Sequence, residues 1–341
     1  MPKLKIVFFE TFGRNKKYLK SKISKDFNLY FVDEPLGEEN LALALNADII
    51  GVFVCSKVSS AIIDKLPQLK LIVTMSTGFD HIDVAYANKK NITVCNVPTY
   101  GENTVAEHAF ALLLSISRKI FESNLTLKSG GFYSEALMGF DLKGKVIGIL
   151  GCGNIGRHLA KMAYGFDMKI LAYDLYPDRE FALKYNVTYV KSIQTILENS
   201  DIISLHLPLN KETHHIINKT SISRMKNGVI IINTARGALI DSLSLYEALL
   251  TGKVRGAGID VFEEENYIKE EVEILLDNAE ITYDLKTVLI VKKIINHPNV
   301  IATPHNAFNS NEAVKRIMDT TIKNIVGFKK GSLANTITLN S

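Results

Sequence analysis

The 341-residue sequence contains few cysteines and no long apolar run. Its three cysteines, Cys55, Cys95 and Cys152, are odd in number and far apart, so they provide neither a disulfide framework nor a metal-binding spacing. The longest apolar stretch, near residues 110–114, is much shorter than the roughly 18 residues that span a membrane. The first residues resemble a strand rather than a secretion signal. We therefore expect a cytoplasmic protein that does not associate with a membrane.

Arginine is also scarce, because only eight of the 40 basic residues are arginine. The net charge of +4 therefore comes from a lysine-coated surface, and no basic cluster with interleaved aromatic residues indicates a nucleic-acid partner. A hydrophobic content of 47% and a charged content of 22% are typical of a globular protein. The length favours about two domains.

A glycine-rich turn lies near the middle of the chain. The residues Gly151-Cys-Gly-Asn-Ile-Gly156 follow the apolar run 146–150 and precede a helical pattern. Two of these glycines permit a tight turn and a close approach of the backbone to a phosphate, and the third lets the helix pack on the strand. The N-terminus of the helix presents unpaired N–H groups to the phosphates. Taken alone, the spacing also fits a structural glycine turn.

An acidic residue follows at the position that a bound ribose requires. The next apolar run, residues 169–173, is followed by Asp174, which is 18 residues beyond Gly156 (174 − 156 = 18). A carboxylate there accepts hydrogen bonds from a free 2′-hydroxyl and repels a 2′-phosphate. Residues 175–177 add no cation beside it. The order strand, glycines, helix, strand and acid therefore predicts a dinucleotide site that prefers NAD to NADP.

Short apolar runs alternate with helical patterns on both sides of this turn. The runs are residues 5–9, 29–32, 47–54, 71–74 and 93–95, and then 146–150, 169–173, 201–205, 229–233, 257–261 and 300–302. Such alternation favours parallel strands joined by crossover helices. The sequence therefore predicts an α/β protein with two doubly wound parallel-sheet domains.

Two further segments bear on the organisation of the chain. Residues 104–118 form a helical pattern that is apolar on nearly every face, so we expect this helix to be buried at a domain junction and against another subunit, in a homodimer. Residues 266–296 are acidic at first and then apolar. They could form an inserted helical hairpin, a lid or a surface elaboration.

Three polar side chains follow apolar runs of the second half. Arg236 comes directly after the run 229–233, where its planar guanidinium could hold a carboxylate. Asp260 and Glu265 lie in and after the run 257–261, and His305 follows the run 300–302 and a proline. An arginine, an acid and a histidine at the strand ends of one sheet provide what the reversible reduction of a 2-oxo acid needs.

With these residues the chain resembles the D-isomer-specific 2-hydroxyacid dehydrogenases, nearest the D-lactate dehydrogenase branch. The resemblance covers nearly the whole chain and includes the motifs at residues 76–83, 96–108, 203–208 and 303–308. It implies a Rossmann NAD-binding domain inserted into a flavodoxin-like substrate domain. The implied boundaries are residues 1–100 for the first part of the substrate domain, 101–304 for the NAD-binding domain and 305–341 for the C-terminal part.

The resemblance also implies roles for individual residues. Arg236 would bind the substrate carboxylate and polarise the keto oxygen, and His305 would be the acid and base, with Glu265 paired to it and favouring the imidazolium. The implied cofactor contacts are Gly151, Gly153, Asn154, Ile155, Gly156, Asp174, Leu207, Pro208, Thr213, Thr234, Ala235 and Asp260. The implied substrate contacts are Thr77, Gly78, Tyr100, Arg236 and Phe308. Cys55 stands where the D-lactate branch often has a tyrosine.

Several alternatives remain at this point. The same fold serves as an NAD-sensing corepressor. Among substrates the resemblance favours pyruvate and D-lactate, and glyoxylate, hydroxypyruvate or a longer 2-oxo acid are the alternatives. His206 is expected to be structural. His214 and His215 are adjacent and should point to opposite sides of an extended segment, and no third ligand accompanies them, so we expect no metal.

Overall fold

The chain forms two compact units, each built around its own parallel sheet. The structure is a computed structural model that describes residues 3–132, 135–265 and 284–338. The first unit comprises Met1–Gly101 and Ser310–Ser341, and the second comprises Glu102–Asn309. Of the segment 266–296, whose role the sequence left undecided, residues 266–283 lie outside the described residues.

The first unit contains a five-stranded parallel sheet in its described part. Its strands are β1 (Lys5–Phe8), β2 (Asn28–Phe31), β3 (Ile49–Val52), β4 (Leu71–Thr74) and β5 (Thr93–Cys95), and its helices are α1 (Gly13–Ile23), α2 (Ser60–Asp64) and α3 (Val84–Lys89). The strand order β2-β1-β3-β4-β5 is that of the flavodoxin-like fold, as predicted. Both β3 and β4 are buried along their whole length, which explains why they are continuous apolar runs rather than alternating ones.

A long C-terminal helix returns to this first unit. The helix spans Asn311–Lys330 and packs against α1 and β4. Its buried side chains include Ala313, Ile317, Met318 and Ile325, which form the single apolar stripe that the sequence shows. The C-terminal segment therefore completes the core of a domain that begins at the other end of the chain.

The second unit contains a seven-stranded parallel sheet in its described part. Its strands are β6 (Val146–Leu150), β7 (Lys169–Tyr173), β8 (Val187–Tyr189), β9 (Ile202–Leu205), β10 (Val229–Asn233), β11 (Val254–Ile259) and β12 (Val300–Ala302). Its helices are α4 (Glu102–Arg118), α5 (Ile120–Lys128), α6 (Asn154–Gly165), α7 (Arg179–Tyr185), α8 (Ile193–Asn199), α9 (Lys219–Arg224), α10 (Ser242–Leu250) and α11 (Leu285–Ile295); the C-terminal helix of the first unit is α12. The order β12-β11-β10-β9-β6-β7-β8 reverses direction between β6 and β9, which makes this the switch point where open α/β sheets bind ligands.

Helix α4 is buried within the second unit itself. It packs against α6 and β11, and its buried residues include Val105, Phe110 and Leu113. These contacts already explain why the helix lacks a polar face, so its apolar circumference does not require a partner subunit. None of the described helices is both long and apolar enough to cross a membrane.

The second unit ends five residues later than the boundary that the resemblance implied, at Asn309 rather than at 304. The reason is a set of hydrogen bonds to Asp260, which follows β11. The N–H of His305 donates to the carbonyl oxygen of Asp260 (2.8 Å), and those of Asn306 and Ala307 donate to its carboxylate (2.8 and 2.9 Å). Residues 305–309 are thereby tied to the second sheet.

Candidate active site

The glycine turn joins β6 to α6 at the switch point of the second sheet. Gly151 has a φ of +91°, and a Cβ there would lie 2.6 Å from the carbonyl oxygen of His206. A Cβ on Gly156 would lie 2.2 Å from the carbonyl oxygen of Gly151. These two glycines are therefore required by the turn and by the packing of helix on strand, as the sequence predicted.

The middle glycine of the turn, Gly153, has a different environment. It is the N-cap of α6, and a Cβ built on it would have no neighbour within 4 Å among the residues that the structure describes, beyond the adjoining chain itself. The N–H groups of the first turn of α6 point out of the helix end beside this open surface. The turn therefore fits a pyrophosphate, whose oxygens need close approach to backbone N–H groups.

Two further observations fit a dinucleotide on this edge of the sheet. Asp174 directly follows β7, and its Oδ1 accepts a hydrogen bond from the N–H of Tyr176 (2.8 Å), which orients the carboxylate. Thr234 directly follows β10, and its buried hydroxyl has no hydrogen-bond partner among the described residues. A buried hydroxyl without a partner is costly unless a ligand supplies one.

The loop after β9 contains the other expected cofactor contacts. Thr213 closes this loop, because its hydroxyl donates to the carbonyl oxygen of Pro208 (2.6 Å) and its N–H donates to Asn210 Oδ1 (2.9 Å). Leu207 is half-buried against the sheet core. The loop is thereby held at the carboxyl edge, next to the glycine turn.

His305 and Glu265 form a hydrogen-bonded pair. His305 Nδ1 lies 2.9 Å from Glu265 Oε1, and the two side chains are 25% and 20% exposed. Because Nδ1 is engaged by the carboxylate, Nε2 is the ring nitrogen available for proton exchange with a ligand. His305 has a φ of +51°, which is uncommon for a residue with a side chain. This backbone conformation sets the direction of the ring in the segment after β12.

Arg236 follows β10 in an extended conformation. Its Nη1 donates to the carbonyl oxygen of Ala235 (2.7 Å). The buried side chain of Asn233, the last residue of β10, donates to the carbonyl oxygen of Arg236 (2.9 Å) and accepts from the N–H of Ala235 (3.0 Å). Asn233 therefore shapes the backbone from which the half-buried guanidinium extends.

Asp260 is fully buried, and its carboxylate holds the segment that contains His305. Besides the two N–H groups described above, it accepts a hydrogen bond from the hydroxyl of Thr303 (2.5 Å). His108 Nε2, on α4, lies 3.0 Å from Thr303 Oγ1 and 3.4 Å from Asp260 Oδ1. Burial by itself raises the pKa of Asp260, but the hydrogen bonds from His108, Thr303 and the two N–H groups outweigh it and lower the pKa below its usual value.

A model of the family described as "D-isomer specific 2-hydroxyacid dehydrogenase, NAD binding domain" matches residues 110–307. This chain belongs to the D-isomer-specific 2-hydroxyacid dehydrogenase family. It is 39% identical to the hydroxypyruvate reductase of Thermotoga maritima over 82% of this chain and 84% of that protein. It is 34% identical to the D-lactate dehydrogenase of Escherichia coli over 96% of this chain and 98% of that protein.

A solved structure is similar in fold to this chain over nearly its whole length. The D-lactate dehydrogenase from Aquifex aeolicus, complexed with NAD and lactic acid, has a TM-score of 0.89 and 34% identity, covering 98% of this chain and 100% of that one. The present dehydrogenase is thus an NAD-dependent oxidoreductase that acts on a small 2-hydroxy or 2-oxo acid. The alternative of an NAD-sensing corepressor gains no support, because these relatives are enzymes.

The predicted substrate contacts of the dehydrogenase fall in both units. Thr77 and Gly78 belong to the first unit, in the turn that follows β4, and Asn96 supports this turn by donating to the carbonyl oxygen of Thr77 (2.8 Å). Tyr100 also belongs to the first unit, and its carbonyl oxygen accepts a hydrogen bond from the Arg316 guanidinium. Phe308 belongs to the second unit, as does Arg236.

Three residues that support the site were not predicted from the sequence. They are Asn233, His108 and Thr303. Asn233 is a polar residue at the end of an apolar strand, and His108 is a polar residue on a helix that is apolar almost all round, so each was a visible signal. Thr303 and His108 both lie in motifs that carry the resemblance, 303–308 and 96–108, but those motifs assign no role to Thr303. Its partner His108 is 195 residues away in the sequence, and nothing local indicates that contact.

The expectation for the adjacent histidines is wrong. The rings of His214 and His215 lie against each other, with centroids 3.9 Å apart and planes at 31°. The segment is not extended, because His215 has a φ of +50°.

His206 is half-buried beside Ser204, and burial lowers its pKa to about 4, so that its ring is neutral at pH 7.

The three glycines provide a first test. Gly156→Ala should lower the free energy of unfolding by about 1–3 kcal/mol, and with it the unfolding temperature, because its Cβ meets a backbone oxygen that cannot move aside. Gly153→Ala should leave that temperature unchanged but weaken NADH binding by about tenfold or more, because its methyl group covers the surface that fits the pyrophosphate. Circular dichroism and a titration followed by NADH fluorescence measure the two effects. Wild-type NADH affinity in Gly153→Ala would show that the phosphates bind elsewhere.

Asp260 provides a second test, through pH. Because its pKa is lowered by folding, its stabilisation is present above the unfolded-state pKa of about 3.9 and is lost as the pH falls through the lower folded-state value. Asp260→Asn should therefore be less stable than wild type by about 1–3 kcal/mol at pH 7, with a smaller difference at pH 3. Thermal unfolding at several pH values measures this. The exposed Asp141→Asn is the matched control, and an equal loss for both variants would contradict the positioning role.

Proposed function

We propose that this chain is a D-lactate dehydrogenase, which reduces pyruvate with NADH to D-lactate and catalyses the reverse oxidation. The observation that carries the chemistry is the order of three neighbouring strands. Arg236 follows β10, Glu265 lies in the loop after β11, and His305 follows β12. Strand β11 lies between β10 and β12 and pairs with both. Carboxyl ends of adjacent parallel strands meet at one edge, so the three side chains serve one ligand.

Each of the three residues has a distinct part in this reaction. The Arg236 guanidinium binds the substrate carboxylate as a planar fork and polarises the keto oxygen. His305 Nε2–H donates a proton to the keto oxygen during reduction and takes it back from the hydroxyl during oxidation. Glu265 holds Nδ1 and stabilises the imidazolium that donates the proton. Bound NADH supplies the hydride that the keto carbon receives.

The choice of pyruvate is supported by the extent of the similarity. The match to the two D-lactate dehydrogenases covers at least 96% of this chain, whereas the match to the hydroxypyruvate reductase covers 82%, although its identity is higher. Hydroxypyruvate and glyoxylate remain the competing substrates.

The individual ligand contacts are part of the same proposal. The pyrophosphate lies against Gly153 and the first turn of α6, and Asp174 binds the ribose. The other proposed cofactor contacts are Gly151, Asn154, Ile155, Gly156, Leu207, Pro208, Thr213, Thr234, Ala235 and Asp260. The proposed substrate contacts besides Arg236 are Thr77, Gly78, Tyr100 and Phe308.

Turnover of a panel of 2-oxo acids tests the function. Pyruvate should have the highest kcat/KM among pyruvate, hydroxypyruvate, glyoxylate and longer 2-oxo acids, and the product should be the D-enantiomer. His305→Ala should lower kcat by about 10²–10⁴-fold, since general acid catalysis is lost. Arg236→Ala should raise the KM for the 2-oxo acid, because the carboxylate loses its partner, and should also lower kcat, because the keto oxygen is no longer polarised. NADH oxidation and chiral analysis measure these outcomes. A higher kcat/KM for another acid would reassign the substrate, and no turnover at all would refute the proposal.

The dehydrogenase is also proposed to be a homodimer, through the region of α4 and the adjoining α5. Helix α4 itself is covered within its unit, but α5 exposes several large apolar side chains. They are Ile120 (56%), Phe121 (54%), Leu125 (49%) and Leu127 (62%). Four large apolar side chains exposed on one nine-residue helix support its assignment as the association site.

The surface of α5 predicts the oligomeric state. Light scattering after size exclusion should give twice the chain mass of 37.9 kDa at micromolar concentration. The double variant Phe121→Asp and Leu125→Asp should give a monomer, because it places charges on the apolar face. Leu183→Asp, which is 87% exposed on α7, is the matched control and should stay dimeric. A wild-type monomer would refute the dimer.

A further inference from the structure

The three consecutive glutamates 263–265 have three different environments. Glu265 binds His305, as described. Glu263 is nearly buried, with its side chain 13% exposed, and both of its carboxylate oxygens are engaged. Glu264 lies between them with a φ of +50° and makes no hydrogen bond or ion pair within the described part of the chain. A run that would normally be a solvated acidic loop therefore contains two anchored side chains.

The carboxylate of Glu263 contacts two other loops of the second unit. Its Oε1 lies 2.5 Å from His215 Nε2, in the loop after β9. Its Oε2 accepts a hydrogen bond from the N–H of Ser242 (2.9 Å), the first residue of α10. Asp241, the N-cap of α10, makes no side-chain capping bond, so Glu263 supplies the carboxylate that this helix end favours.

Backbone contacts connect the same three loops. His215 N–H donates to the carbonyl oxygen of Ala238 (2.8 Å), which joins the loop after β9 to the loop that contains Arg236. Gly237 lies so close to the peptide of Phe262 that a Cβ would approach its carbonyl carbon to 2.0 Å. The loop with Arg236 therefore packs directly against the loop with Glu265, and Glu263 bonds from that second loop to the loop after β9 and to the first residue of α10.

We propose that Glu263 is a positioning residue for the acid–base pair: by anchoring its loop to His215 and to the N-terminus of α10, it holds the Glu265 carboxylate on His305. This inference rests on the proposed function, in which His305 exchanges the proton. Glu263 lies two residues before Glu265 in the loop after β11, so its bonds to His215 and Ser242 fix the backbone from which the Glu265 carboxylate extends. A displacement of about 1 Å at a reacting group costs on the order of 10²-fold in rate.

A variant series within the tripeptide tests this. Glu263→Ala should lower kcat/KM about tenfold or more, mainly through kcat, because Glu265 loses its position. Glu263→Gln should recover part of the loss, since its single amide oxygen can replace only one of the two acceptors. Glu264→Gln makes the same change of charge one residue away and should retain wild-type kinetics. Melting temperature and NADH affinity are measured for each variant to separate positioning from unfolding.

The double variant distinguishes positioning from a general structural effect. If Glu263 acts through Glu265, then adding Glu263→Ala to Glu265→Gln should cause a further loss of no more than about threefold. The same fold loss in both backgrounds would overturn the inference. If Glu263→Ala does not fold, Glu263→Gln is used in the same cycle.

A measurement without substrate separates this inference from the proposed function. The ring signals of the histidines are recorded by ¹⁵N NMR. The signal that is absent from the spectrum of His305→Gln is assigned to His305. In Glu263→Ala the His305 signal should move toward its position in Glu265→Gln, and in Glu264→Gln it should stay in place. An unmoved signal in Glu263→Ala would overturn the positioning role even if the enzyme reduces pyruvate. A moved signal would support it even if no 2-oxo acid is turned over.

Discussion

The site depends on one buried carboxylate, that of Asp260 at the end of β11. It accepts hydrogen bonds from the Thr303 hydroxyl and from the N–H groups of Asn306 and Ala307, and His108 on α4 lies beside it. A buried charge is tolerated only when its hydrogen-bonding capacity is filled. The sheet, the segment after β12 and a helix from the start of the unit must therefore be assembled together before the charge is compensated. The uncommon backbone conformation of His305 is a consequence of this constraint.

The same edge of the sheet carries the glycine turn that is proposed to bind the cofactor. The strand order changes direction between β6 and β9, and the glycine turn emerges at that point with α6 directed at the open surface. Gly151 and Gly156 make the turn possible by leaving room for backbone atoms, whereas Gly153 leaves room for a ligand. In the proposed function, the dinucleotide and the acid–base pair therefore share one sheet, on strands to either side of the switch point.

Much of this arrangement could be predicted from the chain. The apolar runs located all of the central strands, because strands buried on both faces lack polar positions. Arg236, Glu265 and His305 could be found because each follows such a run, and parallel strands bring their carboxyl ends together. The contact between His305 and Glu265 is present as the resemblance implied. The histidine pair was misjudged, since the left-handed backbone of His215 is imposed by its contacts to Ala238 and Glu263 rather than by its neighbours in sequence.

The sequence by itself was enough to predict the two parallel sheets, the glycine turn, the acidic residue Asp174 and the family. These features depend on apolar periodicity and on short motifs. Only the tertiary structure decided which polar groups support the site. His108 and Thr303 are 195 residues apart, His215 and Glu263 are 48 apart, and Asn233 acts on a backbone that turns after β10. Hydrogen bonds between loops are set by where the strands end in space. Local sequence patterns carry no information about the distance between those strand ends.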